Sequence, residues 1–192
     1  MILDVYENYI EKIQTYIDKC FTDQKPYIKC GAGCSMCCEK GVYPISQLEF
    51  IYMLEGMKKL DLETYKKVMA NVETAKETCN NPTNEKKYHQ CPFLIDKKCC
   101  IYAHRALICR SYGLLLINEN NNPAAPCCVD ELNYSQVYDT EQRRISNEMF
   151  EESGIDVEPL AYNLSYKALQ SNKYTDGLSF GETKALLTWF EQ

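Results

Sequence analysis

Cys30-Gly31-Ala32-Gly33-Cys34-Ser35-Met36-Cys37-Cys38 places four thiols within nine residues, with two glycines between the first two. Glycine reaches positive φ without steric cost, so Gly31 and Gly33 let the chain curl until its N–H groups face sulfur. Two cysteines separated by two residues, as in Cys34-x-x-Cys37, reach one tetrahedral ion from a single turn, and thiolates select soft or borderline metals. The adjacent side chains of Cys37 and Cys38 are expected to diverge and to serve two ions, or two corners of a polynuclear cluster. That expectation implies more than one metal atom.

Further along, Cys91-Pro92-Phe93-Leu94, Cys99-Cys100-Ile101-Tyr102, Cys109-Arg110-Ser111-Tyr112-Gly113 and Cys127-Cys128 answer the first cluster. Phe93–Ile95 and Cys99–Tyr102 flank Asp-Lys-Lys, which reads as a short hairpin or loop with cysteines at its ends. A thiolate-rich site is strongly negative, so Lys29, Lys40, Arg105 and Arg110, which sit beside these cysteines, are candidate charge partners. His89 and His104 are the only histidines and are alternative ligands. Cys20 and Cys79 fall on apolar helical stripes and read as small buried hydrophobes.

Composition narrows the partners. The chain has 192 residues, 21 basic against 27 acidic, for a net charge of −6, and no long run of one sign. Nothing here favours nucleic acid or an anionic membrane. The start, Met-Ile-Leu-Asp-Val-Tyr-Glu-Asn, lacks the basic and apolar regions of an export signal, and no apolar run approaches the ~20 residues that span a bilayer. The reading is a soluble, cytoplasmic chain. In a reducing compartment the clustered cysteines among its twelve are read as metal ligands instead of disulfides.

The rest is helical in pattern. Leu3, Tyr6, Ile10, Ile13, Ile17 and Cys20 recur at spacings of three and four. Ser46-x-x-Glu49 is a capping box opening a helix that stops near Gly56, and Asp61 caps another with Leu62, Tyr65, Met69, Val72 and Cys79 on one side. Asn80–Gln90 is polar and breaker-rich, an exposed loop. Leu114–Ile117 is a buried extended run, turned by Asn118–Pro123. Beyond residue 130, helices are expected around Ile145, Met149 and Phe150 up to Gly154, along Leu160, Leu164 and Ala168, and after the box Ser179-x-x-Glu182 with Leu186, Leu187 and Trp189. The expected fold is a single domain over 1–192, mainly α with irregular, metal-organised loops and little β. Within it, 30–128 forms a cysteine-cluster core and 130–192 a C-terminal helical buttress.

The arrangement C-x3-C-x2-C-C, followed by C-P-F-L, C-x-I-Y-x-x-R and C-R-x-Y-G over roughly residues 30–128, resembles the CxxCxxCC (YkgJ-like) cysteine-cluster family of zinc- or iron-chelating domains. The resemblance implies Cys30, Cys34, Cys37, Cys38, Cys91, Cys99 and Cys109 as metal ligands, completed by Cys127 or Cys128, of which Cys127 is taken. It selects Cys99 over Cys100 because one residue separates the ligand from Ile101-Tyr102. It implies zinc or an iron–sulfur centre, [4Fe–4S] included, held by about eight thiolates. Ala106 departs from the pattern, which has proline after the arginine. Part of the family is similar to flagellin lysine N-methylases that use S-adenosylmethionine. This implies an alternative function, a protein lysine N-methylase with a protein substrate; a cluster-based redox protein is another. No G-x-G turn after a strand supports a nucleotide-type cofactor here.

Overall fold

The computed structural model describes residues 2–31, 33–118, 120–126, 133–175 and 177–191. Cys127 and Cys128 lie outside the described residues. In chain order the elements are α1 (Ile2–Asp23), α2 (Met36–Glu39), β1 (Pro44–Ser46), α3 (Gln47–Lys58), α4 (Leu62–Asn80), β2 (Leu94–Ile95), β3 (Lys98–Cys99), α5 (Leu107–Ser111), β4 (Leu116–Ile117), β5 (Pro123–Ala124), β6 (Tyr138–Asp139), β7 (Arg144–Ile145), α6 (Asn147–Ser153), α7 (Tyr166–Gln170) and β8 (Thr183–Ala185). Helix accounts for 48% of the chain and strand for 10%, so the protein is mainly α with only small two-stranded sheets. Among the described residues no helix is long and apolar enough to cross a membrane.

The chain folds into two compact units, each assembled from separate segments: Met1–Gly31 with Leu107–Leu178, and Ala32–Ala106 with Ser179–Gln192.

In the first unit α1 buries Tyr6, Ile10, Ile13, Ile17 and Cys20, the expected stripe apart from the half-buried Leu3, together with Tyr9. The phenol of Tyr9 donates to the carbonyl of Leu169. At the end of the helix Gln24 is fully buried, its amide donating to Glu158 O at 3.0 Å and accepting from Leu160 N at 2.9 Å. Leu160 and Leu164 therefore do not lie on a helix, contrary to expectation. Pro159 disfavours helix at its predecessor, and the backbone here pairs outward instead: Tyr162 N donates to Leu115 O and Ile117 N to Tyr162 O, both at 2.9 Å. Helix survives only as α7, capped by Ser165. A second core gathers Tyr27, Leu115, Tyr134, Val137 and Tyr138, with the rings of Tyr27 and Tyr134 stacked at 5.3 Å. Here β4 pairs with β5 across the expected turn, and α6 ends as predicted at Gly154, whose φ of 65° closes the helix.

In the second unit α3 opens on the predicted capping box: Ser46 accepts from Glu49 N, and the Glu49 carboxylate accepts from Ser46 N at 3.0 Å. Asp61 caps α4 as predicted, but the buried stripe is Val68, Val72 and Ala75, while Leu62 and Tyr65 are 69% and 41% exposed. The covered face is rotated from the predicted one and shares only Val72 with it. The expected helix after Ser179-x-x-Glu182 is also corrected. Residues 183–185 form β8, antiparallel to β1 with Pro44 opposite Ala185, followed by a 3-10 turn over Leu186–Glu191. The first N–H groups of α3 explain this: Gln47 N and Leu48 N donate to Glu182 O and Phe180 O at 2.8 and 3.1 Å. Those carbonyls are held extended to satisfy a helix elsewhere in the chain.

Candidate metal centre

Cys34, Cys37, Cys38, Cys91 and Cys99 belong to the second unit, and Cys30 and Cys109 to the first. In the second unit Gly33 takes φ +90°, as the curled loop requires, and leads into α2. Cys38 N and Glu39 N both donate to Ser35 O, at 2.7 and 3.0 Å, winding one tight turn that carries Cys37 and Cys38. Their sulfurs lie 3.9 Å apart, so these two side chains converge where divergence was expected. The phenol of Tyr43 donates to the carbonyl of Cys37 and braces the turn. Cys91 N donates to Cys38 O at 2.7 Å and Gly41 N to His89 O at 3.2 Å, which lays residues 89–91 alongside 38–41. Cys91 is thereby tied to the cysteine pair through the backbone.

Cys99 is delivered by the predicted hairpin. Asp96 and Lys97 both adopt positive φ, 49° and 59°, the pattern of a type I′ turn, and set Leu94 opposite Cys99 and Ile95 opposite Lys98. Cys100 N donates to Phe93 O at 2.9 Å. Burial pushes the Cys99 thiol up to about 11, against the opposing pull of the Ile101 N–H and the Arg105 charge; Cys100 and Cys37 add to the upward push. Arg105 is folded over the Tyr102 ring at 3.6 Å, with Nε donating to Tyr102 O at 3.2 Å. Its guanidinium is thereby held against Tyr102, and its charge opposes the upward shift of the half-buried Cys99.

The two histidines separate cleanly. His104 is buried under Tyr52, with ring centres 4.8 Å apart, and its Nε2 faces the ammonium of Lys59 at 3.0 Å. A cation at that nitrogen disfavours a metal there. His89, 7% exposed, donates from Nδ1 to Gln90 O at 3.0 Å, which leaves Nε2 as the ring nitrogen not engaged by that carbonyl. Cys34 is exposed.

In the first unit a residue absent from the sequence reading organises Cys30. Asn133 is fully buried and donates from Nδ2 to the Cys30 sulfur at 3.2 Å and to Gly113 O at 2.8 Å. Its Oδ1 accepts from Lys29 N at 2.7 Å and Cys30 N at 3.3 Å. The only sequence signal was a polar residue between Leu132 and Tyr134. Gly113 has φ +108°, and a Cβ there would come 2.8 Å from Asn133 Nδ2, so glycine is required on both counts. Cys109 sits half-buried on α5; its neighbour Arg110 is buried, with Nη1 donating to Gln14 Oε1 at 2.9 Å. Cys20 is buried in α1, as expected of a core thiol. Cys79 is only half-buried at the end of α4, its sulfur 3.4 Å from Lys87 O.

Among the described residues no group of three or more His, Cys, Asp or Glu side chains is gathered into a ready-made cage. The donor chemistry nonetheless fits a thiophilic metal. A tetrahedral ion with metal–sulfur bonds of about 2.3 Å has sulfurs about 3.8 Å apart, close to the separation of Cys37 and Cys38.

No curated protein and no solved structure matches the chain. The family model "CxxCxxCC: Putative zinc- or iron-chelating domain" matches residues 29–129, just over half of the sequence. The chain belongs to the CxxCxxCC family of zinc- or iron-chelating domains.

Proposed function

We propose that this is a cytoplasmic metal-binding protein that holds zinc or an iron–sulfur centre through the thiolates of Cys30, Cys34, Cys37, Cys38, Cys91, Cys99, Cys109 and Cys127, with Cys128 the alternative to the last. The observation that carries the reading is the 3.9 Å approach of Cys37 and Cys38 on one braced turn. When bound, the metal supplies cross-linking of the chain by coordination bonds. A helix of four residues has almost no stability of its own, so metal–thiolate bonds at α2 contribute directly to folding. The chain's own groups prepare the thiolates. Arg105 and the Ile101 N–H stabilise charge at Cys99, and the Asn133 amide does so at Cys30.

Elemental analysis of anaerobically purified protein, read with its visible spectrum, tests this. Zinc gives a colourless protein and an iron–sulfur centre a brown one. Stripping either with a chelator under reducing conditions lowers the melting temperature. Protein that carries and takes up no stoichiometric metal defeats the proposal.

A further inference from the structure

We infer that Cys37 and Cys38 are two donors to one and the same metal ion, so that this adjacent pair acts as a single chelate and not as two separate anchors. The inference deepens the metal-binding reading and rests on it. It begins from geometry. Two thiolates on one tetrahedral ion are separated by the edge of the tetrahedron, about 3.8 Å for a metal–sulfur bond of about 2.3 Å. The Cys37 and Cys38 sulfurs stand 3.9 Å apart. In a cubane iron–sulfur cluster each thiolate binds a different iron and radiates from the cluster centre, which holds the sulfurs much farther apart.

The backbone explains how adjacent residues reach this arrangement. In an extended segment their side chains alternate to opposite sides. Here both lie on α2, whose turn is drawn tight by Cys38 N and Glu39 N converging on Ser35 O. Tyr43 holds the carbonyl of Cys37 and Cys91 N–H holds that of Cys38, so the peptide within the pair and the one after it are fixed from outside the turn. A chelate whose two arms are already in register loses little conformational freedom when the ion arrives. The ion it suits is a tetrahedral divalent one, and the two further donors come from other cysteines.

Cobalt(II), which reports thiolate coordination by its absorption, is titrated into the metal-stripped, reduced full-length chain. The samples are the wild type, Cys37→Ser, Cys38→Ser and the double variant. Shared binding predicts that each single variant weakens the same cobalt equivalent at least tenfold, and that the double variant loses one equivalent in all. Loss of two equivalents by the double variant, or wild-type affinity for every equivalent in either single variant, overturns the inference while leaving the metal-binding reading intact. A wild type that takes up no cobalt overturns both. A measurement on the wild type alone guards against variants that do not fold. Alkylation during stepwise cobalt addition, read by fragment mass spectrometry, must show Cys37 and Cys38 becoming protected at the same step; protection at different steps overturns the shared ion.

Discussion

Asn133 Nδ2 donates a hydrogen bond to the sulfur of Cys30 at 3.2 Å across 103 positions of sequence. The same amide donates to Gly113 O and accepts from the backbone of Lys29 and Cys30. One fully buried side chain thus satisfies a carbonyl, two N–H groups and a thiol. An N–H donor aimed at sulfur stabilises its thiolate form.

Asn133→Ala removes all four interactions and takes its donor from the buried Gly113 carbonyl. The expected loss is about 3 kcal/mol, or a fall in melting temperature of about 6–12 °C for a chain of this size. Thermal unfolding of the metal-free protein checks it. A shift below about 2 °C would mean that water replaces the amide without cost. Asn133→Asp should be no better, since it presents oxygen to both the sulfur and the Gly113 carbonyl.

Gly56 gives a prediction in which two effects oppose each other. It lies inside α3, where alanine is ordinarily worth about 1 kcal/mol over glycine. A Cβ at this position would stand 2.8 Å from His104 Cβ, an atom one bond from the backbone that cannot swing aside. His104 is itself held between the Tyr52 ring and Lys59. Overpacking of this kind costs about 1–3 kcal/mol, so Gly56→Ala should destabilise on balance. Chemical denaturation measures the sign, and a stabilised variant would show that the Tyr52–His104–Lys59 stack yields easily.

Much of this fold was readable where the deciding contacts are local. The stripe from Tyr6 to Cys20, the box at Ser46 and Glu49, and the hairpin around Asp96-Lys97 all carry their signal within a few residues. The same kind of signal misled at Ser179-x-x-Glu182, because the N–H groups of Gln47 and Leu48 claim the carbonyls that a local helix would have used. It misled at Leu160 because Gln24, Leu115 and Ile117 hold that segment extended. The site divides along the same line. Cysteine spacing marked the candidate donors, whereas Asn133 acts across more than a hundred positions and has no local signature. The convergence of Cys37 and Cys38 needed knowledge of the turn they share.

Alkaline pH probes the buried phenols of the first unit. Burial is the main cause that raises the phenols of Tyr27, Tyr134 and Tyr162 above their ordinary value of 10.0, with Tyr162 pushed up to about 12. A group that holds its proton more tightly when folded contributes stability that is fully present below the unfolded pKa and is lost as pH rises towards the folded one. The unit should therefore be insensitive to these tyrosines up to about pH 10 and lose stability beyond it. Ultraviolet titration of phenolate alongside circular dichroism follows both events. Tyr134→Phe, which keeps the stack on Tyr27, should move the alkaline transition to higher pH. An unchanged transition would assign it to other groups.

The doubled cysteines at 99 and 100 carry the sharpest prediction about the donor set. The hairpin places Cys99 at a paired position opposite Leu94, and alternation along the strand sends Cys99 and its neighbour to opposite sides. Cys37 and Arg105 both act on Cys99, and neither figures among the influences on Cys100, whose thiol is raised by burial. Cys99 is accordingly the donor expected of the pair, while the N–H of Cys100 donates to Phe93 O. Removing a ligand opens a coordination position that a hydroxyl fills poorly, so Cys99→Ser should lose metal or hold it labile. Cys100→Ser should keep full stoichiometry, with a stability cost of about 1 kcal/mol from its partly buried position. Metal per chain is measured for both variants after identical purification. Retention by Cys99→Ser with loss by Cys100→Ser would reverse the facing of the strand, and with it the choice of Cys99 as the hairpin's donor.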